Sequence, residues 1–185
     1  MRVGSFPEIL AAAQTGAEWA FEVLYRDFNP RLLRYFGSRA PYDAQDLAAE
    51  TWMGVARRIA SFSGGEDEFR SWLFTIAHHQ LVRHWRSASR RRDDLVPDED
   101  LRDVAGPADP SGDVVGAMSA QEAVERITAA LSPEQAEIVL LRVLGGLTVE
   151  QVAEVVGKRP GAVRVAQHRA LKKLADGDVV LEVTK

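Results

Sequence analysis

Leu131-Ser132-Pro133-Glu134-Gln135, Leu147-Thr148-Val149-Glu150-Gln151 and Pro160-Gly161-Ala162-Val163-Arg164 follow one another in the last third of the chain, and each reads as the start of a helix. Ser132 and Thr148 carry hydroxyls that accept from the orphan amides of a first turn, and Gln135 and Gln151, three residues on, complete capping boxes. Gly157 then ends the second helix. The third is amphipathic: at about 100° per residue, Val163, Ala166, Gln167, Ala170 and Leu174 gather on one side and Arg164, Val165, His168, Arg169 and Lys172 on the other. A capped helix, a short second helix, a tight turn and a basic third helix make a helix-turn-helix.

From Lys158 to Lys173 the chain carries Lys158, Arg159, Arg164, Arg169, Lys172 and Lys173 with no acid among them, although its net charge is −4. A basic run alone is usually a solvated face. Behind a capped helix and a turn, the same excess suits phosphates and base edges. A second basic island, Arg83, Arg86, Arg90, Arg91 and Arg92, lies upstream, and an acidic stretch from Asp93 to Asp113 separates the two.

An apolar content of 46% with 27% charged residues places the 185-residue chain among globular proteins with one ordinary domain or two small ones. No apolar run is long enough for a bilayer, and Met1 to Gln14 lacks the pattern of a signal peptide, so a cytoplasmic location without membrane insertion is expected. The absence of cysteine excludes disulfides and thiolate metal sites. His78, His79 and His84 crowd one helix, but adjacent histidines on a carboxylate-poor helix chelate badly, and neither a metal nor another cofactor is expected.

The fold class that follows is all-α: two small helical domains joined by a flexible acidic linker, the second containing the helix-turn-helix. The N-terminal domain is placed at 5–92, with helical spacing in Ala17 to Phe28, Arg31 to Gly37, Ala44 to Ala60 and Glu68 to about Ser89, and with Pro30 and Pro41 punctuating the first junctions. Residues 93–117 combine acids with Pro97, Gly106, Pro107, Pro110 and Gly112, a composition too polar to offset its own ordering entropy. The C-terminal domain is placed at 118–177. The tail, 178–185, reads equally as a short strand, a packing segment or a frayed end.

Within Asp43 to Phe62, Ala48, Trp52, Val55, Ala56 and Ile59 form a packing stripe, while Asp46, Glu50, Met53 and Arg57 form a second. Acids opposite a core stripe ordinarily face water. A methionine beside them suggests a protein contact instead.

At this point the chain resembles a known family. Asp43-Ala44-Gln45-Asp46-Leu47-Ala48-Ala49-Glu50-Thr51-Trp52 resembles the segment with which bacterial sigma factors of the extracytoplasmic function (ECF) group bind core RNA polymerase. Phe69-Arg70-Ser71-Trp72-Leu73-Phe74-Thr75-Ile76-Ala77 is similar to their next segment, and Leu131 to Leu174 to their promoter-binding C-terminal domain.

The resemblance implies that Asp46, Ala49, Glu50 and Met53 lie on the clamp helices of the largest polymerase subunit, with the C-terminal domain near the flap. It implies that Phe69, His79, Arg83 and Arg86 serve the −10 element, where unpaired bases are captured after the duplex opens. Phe69, Trp72, Phe74 and Trp85 recur along that helix, and large aromatics at helical spacing mostly pack. Arg164, Val165, His168, Arg169 and Lys172 are implied to read or flank the −35 element in the major groove. His79 stands where relatives often carry asparagine, Arg83 where an acid is common, Val165 where a serine is common and Ala166 where a base is common. The family's base preferences therefore do not carry over.

The implied function is a non-enzymatic initiation factor that recruits core polymerase to promoter DNA. It is expected to be monomeric when free and restrained by an anti-sigma protein. The alternative is a helix-turn-helix regulator whose N-terminal bundle senses a ligand or dimerises. A hydrolase finds no paired carboxylates or metal-ligand cluster of suitable spacing.

Overall fold

The computed structural model describes residues 4–93, residue 124 and residues 128–176. The linker assigned to 93–117, apart from the helical backbone at Asp93, and the tail at 178–185 lie outside them. Seven complete helices and no strand occur among the described residues: α1 (Phe6–Gln14), α2 (Glu18–Gly37), α3 (Ala44–Arg58), α4 (Glu66–Asp93), α5 (Pro133–Val143), α6 (Val149–Val156) and α7 (Pro160–Asp176).

Helix α1 is one that the sequence reading did not mark. Its start is specified locally: the Glu8 carboxylate accepts from the Ser5 amide and hydroxyl at 2.7 and 2.9 Å. Those bonds, the backbone one foremost, hold the Glu8 carboxyl below its ordinary pKa. Ile9, Leu10 and Ala13 then enter the core. Its last residue, Gln14, donates to the Ile59 and Phe62 carbonyls at 3.1 and 2.6 Å, tying α1 to the loop before α4.

Pro30 does not divide two helices as expected; it sits inside a continuous α2. An interior proline costs about 3 kcal/mol by removing one helical hydrogen bond and crowding the preceding turn. Phe28, Leu32 and Phe36 on the opposite face are buried, each contributing roughly 1.5–3 kcal/mol, so packing outweighs the break. Arg26 and Pro30 are exposed, which leaves the freed carbonyl within reach of water.

Helix α3 lies against both α2 and α4. Trp52 Nε1 donates to Asn29 Oδ1 at 3.1 Å inside the bundle, which satisfies two buried polar groups at once. Gly54 sits at the closest approach of α3 to α4, where an added Cβ would be 3.2 Å from an Ile76 methyl. Ala48, Trp52, Val55 and Ile59 are buried as the spacing predicted, whereas Ala56 is exposed and Leu47 and Thr51 are buried beside them. The buried face is thus turned away from Ala56 toward Leu47 and Thr51 relative to the stripe the sequence suggested.

In the C-terminal module the local signals hold. Ser132 and Thr148 cap α5 and α6 with reciprocal bonds to Gln135 and Gln151. Gly157 takes φ +66° at the end of α6, a left-handed conformation that glycine, having no Cβ, adopts without strain. Val163 and Ala170 anchor α7, and Val124, helical like Thr128 and Ala129, is buried in the main apolar cluster.

The two modules are packed together. Helix α6 lies along α4, and one continuous apolar cluster runs from Ile9 through Tyr35, Phe74 and Leu81 to Ile138, Leu144, Leu147 and Val152.

Candidate functional site

The first surface is the outer face of α3. Asp46, Ala49, Glu50 and Met53 recur at helical spacing and are all exposed, with Met53 retaining 49% of its surface. An unbranched thioether half out of water, next along the face from two acids, is poorly placed for stability alone and well placed for a protein contact. Glu50 also meets Arg83 of α4 at 3.4 Å, while Arg83 donates to Gln80 Oε1 at 2.6 Å. Because Arg83 and Glu50 are both largely exposed, that ion pair orients side chains more than it stabilises them.

The second surface joins the loop at 62–65 to the exposed side of α4. His79, Arg83 and Arg86 lie on that side. Phe69, expected to meet DNA, does not: it is 0% exposed, enclosed by Phe6, Phe28, Phe62 and Trp72 at ring separations of 5.3–5.8 Å. Burying so large a ring outweighs anything it would gain at the surface. Phe62, half-buried above it, stacks on Trp72 at 4.9 Å and carries the loop. Gly64 adopts φ +150°, and a Cβ there would meet the Glu68 side chain at 2.8 Å. Glu68 Oε2 in turn accepts from the Gly65 amide at 2.9 Å, fixing the entry to α4.

The third surface is α7. Arg164, Val165, His168, Arg169 and Lys172 are exposed together, opposite Val163 and Ala170. Arg164 is paired with Glu150 of α6 at 2.5 Å, and Lys158 with Glu134 at 2.8 Å. Thus two cations of this module are paired with its own acids.

A fourth group was not anticipated. Glu137 of α5 is only 6% exposed and lies against the N-terminal module. Its Oε1 accepts from the Tyr35 hydroxyl at 2.5 Å and contacts His78 Nδ1 at 2.8 Å. Arg39 Nε faces Oε2 at 3.3 Å, close enough for attraction but outside hydrogen-bond alignment. Arg39 also lies 4.7 Å from the Trp85 ring centre and donates to the Pro133 carbonyl at 3.3 Å. Burial, reinforced by the Glu137 charge, pushes the Tyr35 phenol well above its ordinary pKa. The sequence held one signal for this group, an acid inside the apolar run Ala136-Glu137-Ile138-Val139-Leu140-Leu141, but not its partners. Of the three histidines considered as ligands, His78 is committed to Glu137, His84 faces Asp43 at 3.5 Å, and His79 is exposed.

Two sequence profiles match the chain in order: sigma-70 region 2 over residues 24–91 and sigma-70 region 4 over residues 121–174. BldN, an ECF RNA polymerase sigma factor of Streptomyces coelicolor, is 34% identical over 172 residues, covering 91% of this chain and 64% of BldN. The chain therefore spans just under two thirds of that relative. ShbA of Streptomyces griseus, also an ECF sigma factor, is 34% identical over 88% of this chain and 89% of its own length. SigD of Mycobacterium tuberculosis is 31% identical over 91% of this chain and 81% of SigD.

Among solved structures, the sigma factor RpoE of Bartonella quintana, in complex with the anti-sigma factor NepR, superposes with a TM-score of 0.68 at 23% identity. That match covers 84% of this chain and 94% of RpoE. CnrH, in complex with the cytosolic domain of CnrY, gives 0.62 at 21% identity over 95% of this chain and 99% of CnrH. These two likenesses are of fold. The ligand-sensing regulator is not favoured, because the region 2 match runs through the N-terminal bundle that it would have to replace. With both sigma-70 regions in sequence order and ECF relatives matched along most of their length, the chain belongs to the ECF sigma factors of bacterial RNA polymerase.

Proposed function

We propose that Asp46, Ala49, Glu50 and Met53 of α3 form the contact through which this sigma factor engages the clamp helices of core RNA polymerase. The observation that carries this reading is their shared exposed face on a helix whose other side is locked by Trp52, Asn29 and Gly54. The acids steer and register the encounter with basic groups, while the central apolar contact at Met53 sets the residence time. His79, Arg83 and Arg86 attend the −10 strand, and the aromatic stack beneath the loop supports it without touching a base. In this reading Phe69 is a support and leaves the contact set. Arg164, Val165, His168, Arg169 and Lys172 present α7 to the −35 major groove, where a bidentate arginine–guanine pair contributes about 1–3 kcal/mol of discrimination.

Such a protein performs no bond chemistry itself; the polymerase does. It works beside the chromosome in the cytoplasm, and no helix among the described residues is long and apolar enough to cross a membrane. An inhibitory partner, as NepR is bound to the Bartonella protein, belongs to the same reading. The test is titration of the full chain into core polymerase. Replacing Asp46 and Met53 together by alanine is expected to weaken binding at least tenfold, about 1.4 kcal/mol, with helicity unchanged. Wild-type affinity in that variant would remove α3 from the interface.

A further inference from the structure

We infer that Gln14, the last residue of α1, is a positioning residue for promoter readout: it fixes the shape in which the loop at 62–65 is offered to the unpaired −10 strand, and so sharpens base choice there. The inference rests on the reading of that loop as part of the −10 surface, and it gives Gln14 no contact with a base.

The loop has little with which to hold itself. Ser61-Phe62-Ser63-Gly64-Gly65 is short and polar apart from one ring, and its two adjacent glycines have more backbone states open to them than any other residue. Ser61, Ser63, Gly64 and Gly65 are all exposed, so the core does not order them. A definite shape must therefore be imposed by ties to the neighbouring helices.

Those ties come from both sides. Downstream, the Gly65 amide donates to Glu68 of α4 at 2.9 Å. Upstream, the Gln14 carboxamide, whose nitrogen carries two N–H donors, donates to the Ile59 carbonyl at 3.1 Å and to the Phe62 carbonyl at 2.6 Å. These two carbonyls bracket the turn Ile59–Ser61, which the Phe62 amide closes on the Ile59 carbonyl at 3.0 Å. The Phe62 ring then rests on Trp72 at 4.9 Å and on Phe69 at 5.6 Å. Phe62 and Gly65 are thus fixed points, and Ser63 and Gly64 between them are left to face a strand. Glu68, Phe69 and Trp72 all belong to α4, so Gln14 supplies a tie from a different element.

Removing that tie changes the loop more than the fold. Helix α1 is seated without Gln14 by Ile9, Leu10 and Ala13 in the core and by Phe6 against Phe69 at 5.6 Å. The Gln14 bonds reach across 45 and 48 residues of sequence to a segment at the surface, where water replaces them once they are broken. What is lost is geometry. A loop free to re-form accommodates a wrong base as readily as the right one, whereas a loop held at both ends rejects what does not fit. Precision of this kind comes from groups that never touch the ligand but lock those that do.

Gln14→Met keeps the length of the side chain and removes its donors. Two measurements are made on the full chain. Amide hydrogen exchange in the free protein reads the loop; transcription by core polymerase from templates randomised over the −10 segment reads base choice, with core affinity measured beside it. In Gln14→Met the Phe62 and Gly65 amides are expected to exchange about fivefold faster, and the preference for the best −10 bases to fall about fivefold, as follows if the untied loop holds its bound shape about a fifth of the time. Core affinity and the −35 preference are expected to stay at wild-type values, which a general loss of stability would not leave in place. Unchanged exchange in Gln14→Met overturns the inference, and so does faster exchange with base preference intact. Should Gln14→Met lose helicity, Gln14→Glu, of the same shape and without an N–H donor, is read in the same two assays and decides by the same outcomes. If even the wild type shows no base preference over the −10 segment, the −10 reading of the loop fails and the readout role with it, while the free-chain exchange still decides whether Gln14 holds the loop.

Discussion

Trp52 and Asn29 carry more of the N-terminal module than their polarity suggests. Each is buried, and each is satisfied by the other at 3.1 Å. Trp52→Phe keeps a ring against Phe21 and Tyr25 but orphans the Asn29 carbonyl oxygen. Leaving a buried acceptor unpaired costs about 1–3 kcal/mol, so a lower thermal midpoint is expected, read by circular dichroism. Tyr35 makes a different prediction. Its folded-state pKa is raised above the unfolded value of 10.0, chiefly by burial. Above that pH the unfolded chain releases the phenolic proton while the folded chain keeps it, so stability present below pH 10 declines as pH rises. Denaturant titrations between pH 9 and 11 should show that decline, and Tyr35→Phe should flatten it.

At the scale of elements, capping was the most legible feature. Thr148 accepts from the Gln151 amide at 3.2 Å at an exposed helix start. Thr148→Ala is expected to lower stability by about 1 kcal/mol, measured by urea unfolding, with α7 still folded. Helix α7 itself was readable because its two faces differ in charge and size. Arg164→Ala with Arg169→Ala should reduce selection of the cognate promoter by tenfold or more in transcription with core polymerase, leaving core association intact. Loss of core association instead would reassign the module. Three features escaped sequence reasoning for physical reasons. Pro30 looked like a boundary because the cost of an interior proline is local, while the packing of Phe28, Leu32 and Phe36 that overrides it is tertiary. Helix α1 is nine residues long, too short to announce itself by periodicity, and draws its stability from Ile9, Leu10 and Ala13 in the core. Phe69 was assigned a surface role by resemblance, whereas its ring belongs to an aromatic cluster assembled from α1, α2, the loop and α4.

For the whole molecule, composition and motif order indicated two helical modules and the family resemblance implied their division of labour, but neither indicated how they meet. That information lies in long-range pairs such as Tyr35 with Glu137, which no local spacing encodes. The resulting picture is a chain whose α3 acids, α4 arginines and basic α7 face, the proposed polymerase, −10 and −35 contacts, are all exposed, yet held at a spacing set by its own packing. Selectivity then belongs to the complex with polymerase, because a single helix-turn-helix with a few base contacts has little affinity of its own. The most direct test is binding of the full chain to duplex DNA bearing its promoter, measured with and without core polymerase at one fixed salt concentration. The account predicts weak, salt-sensitive binding by the chain alone and specific, initiation-competent binding once core is added. Tight sequence-specific binding by the chain alone as a symmetric dimer, unaffected by core, would contradict it.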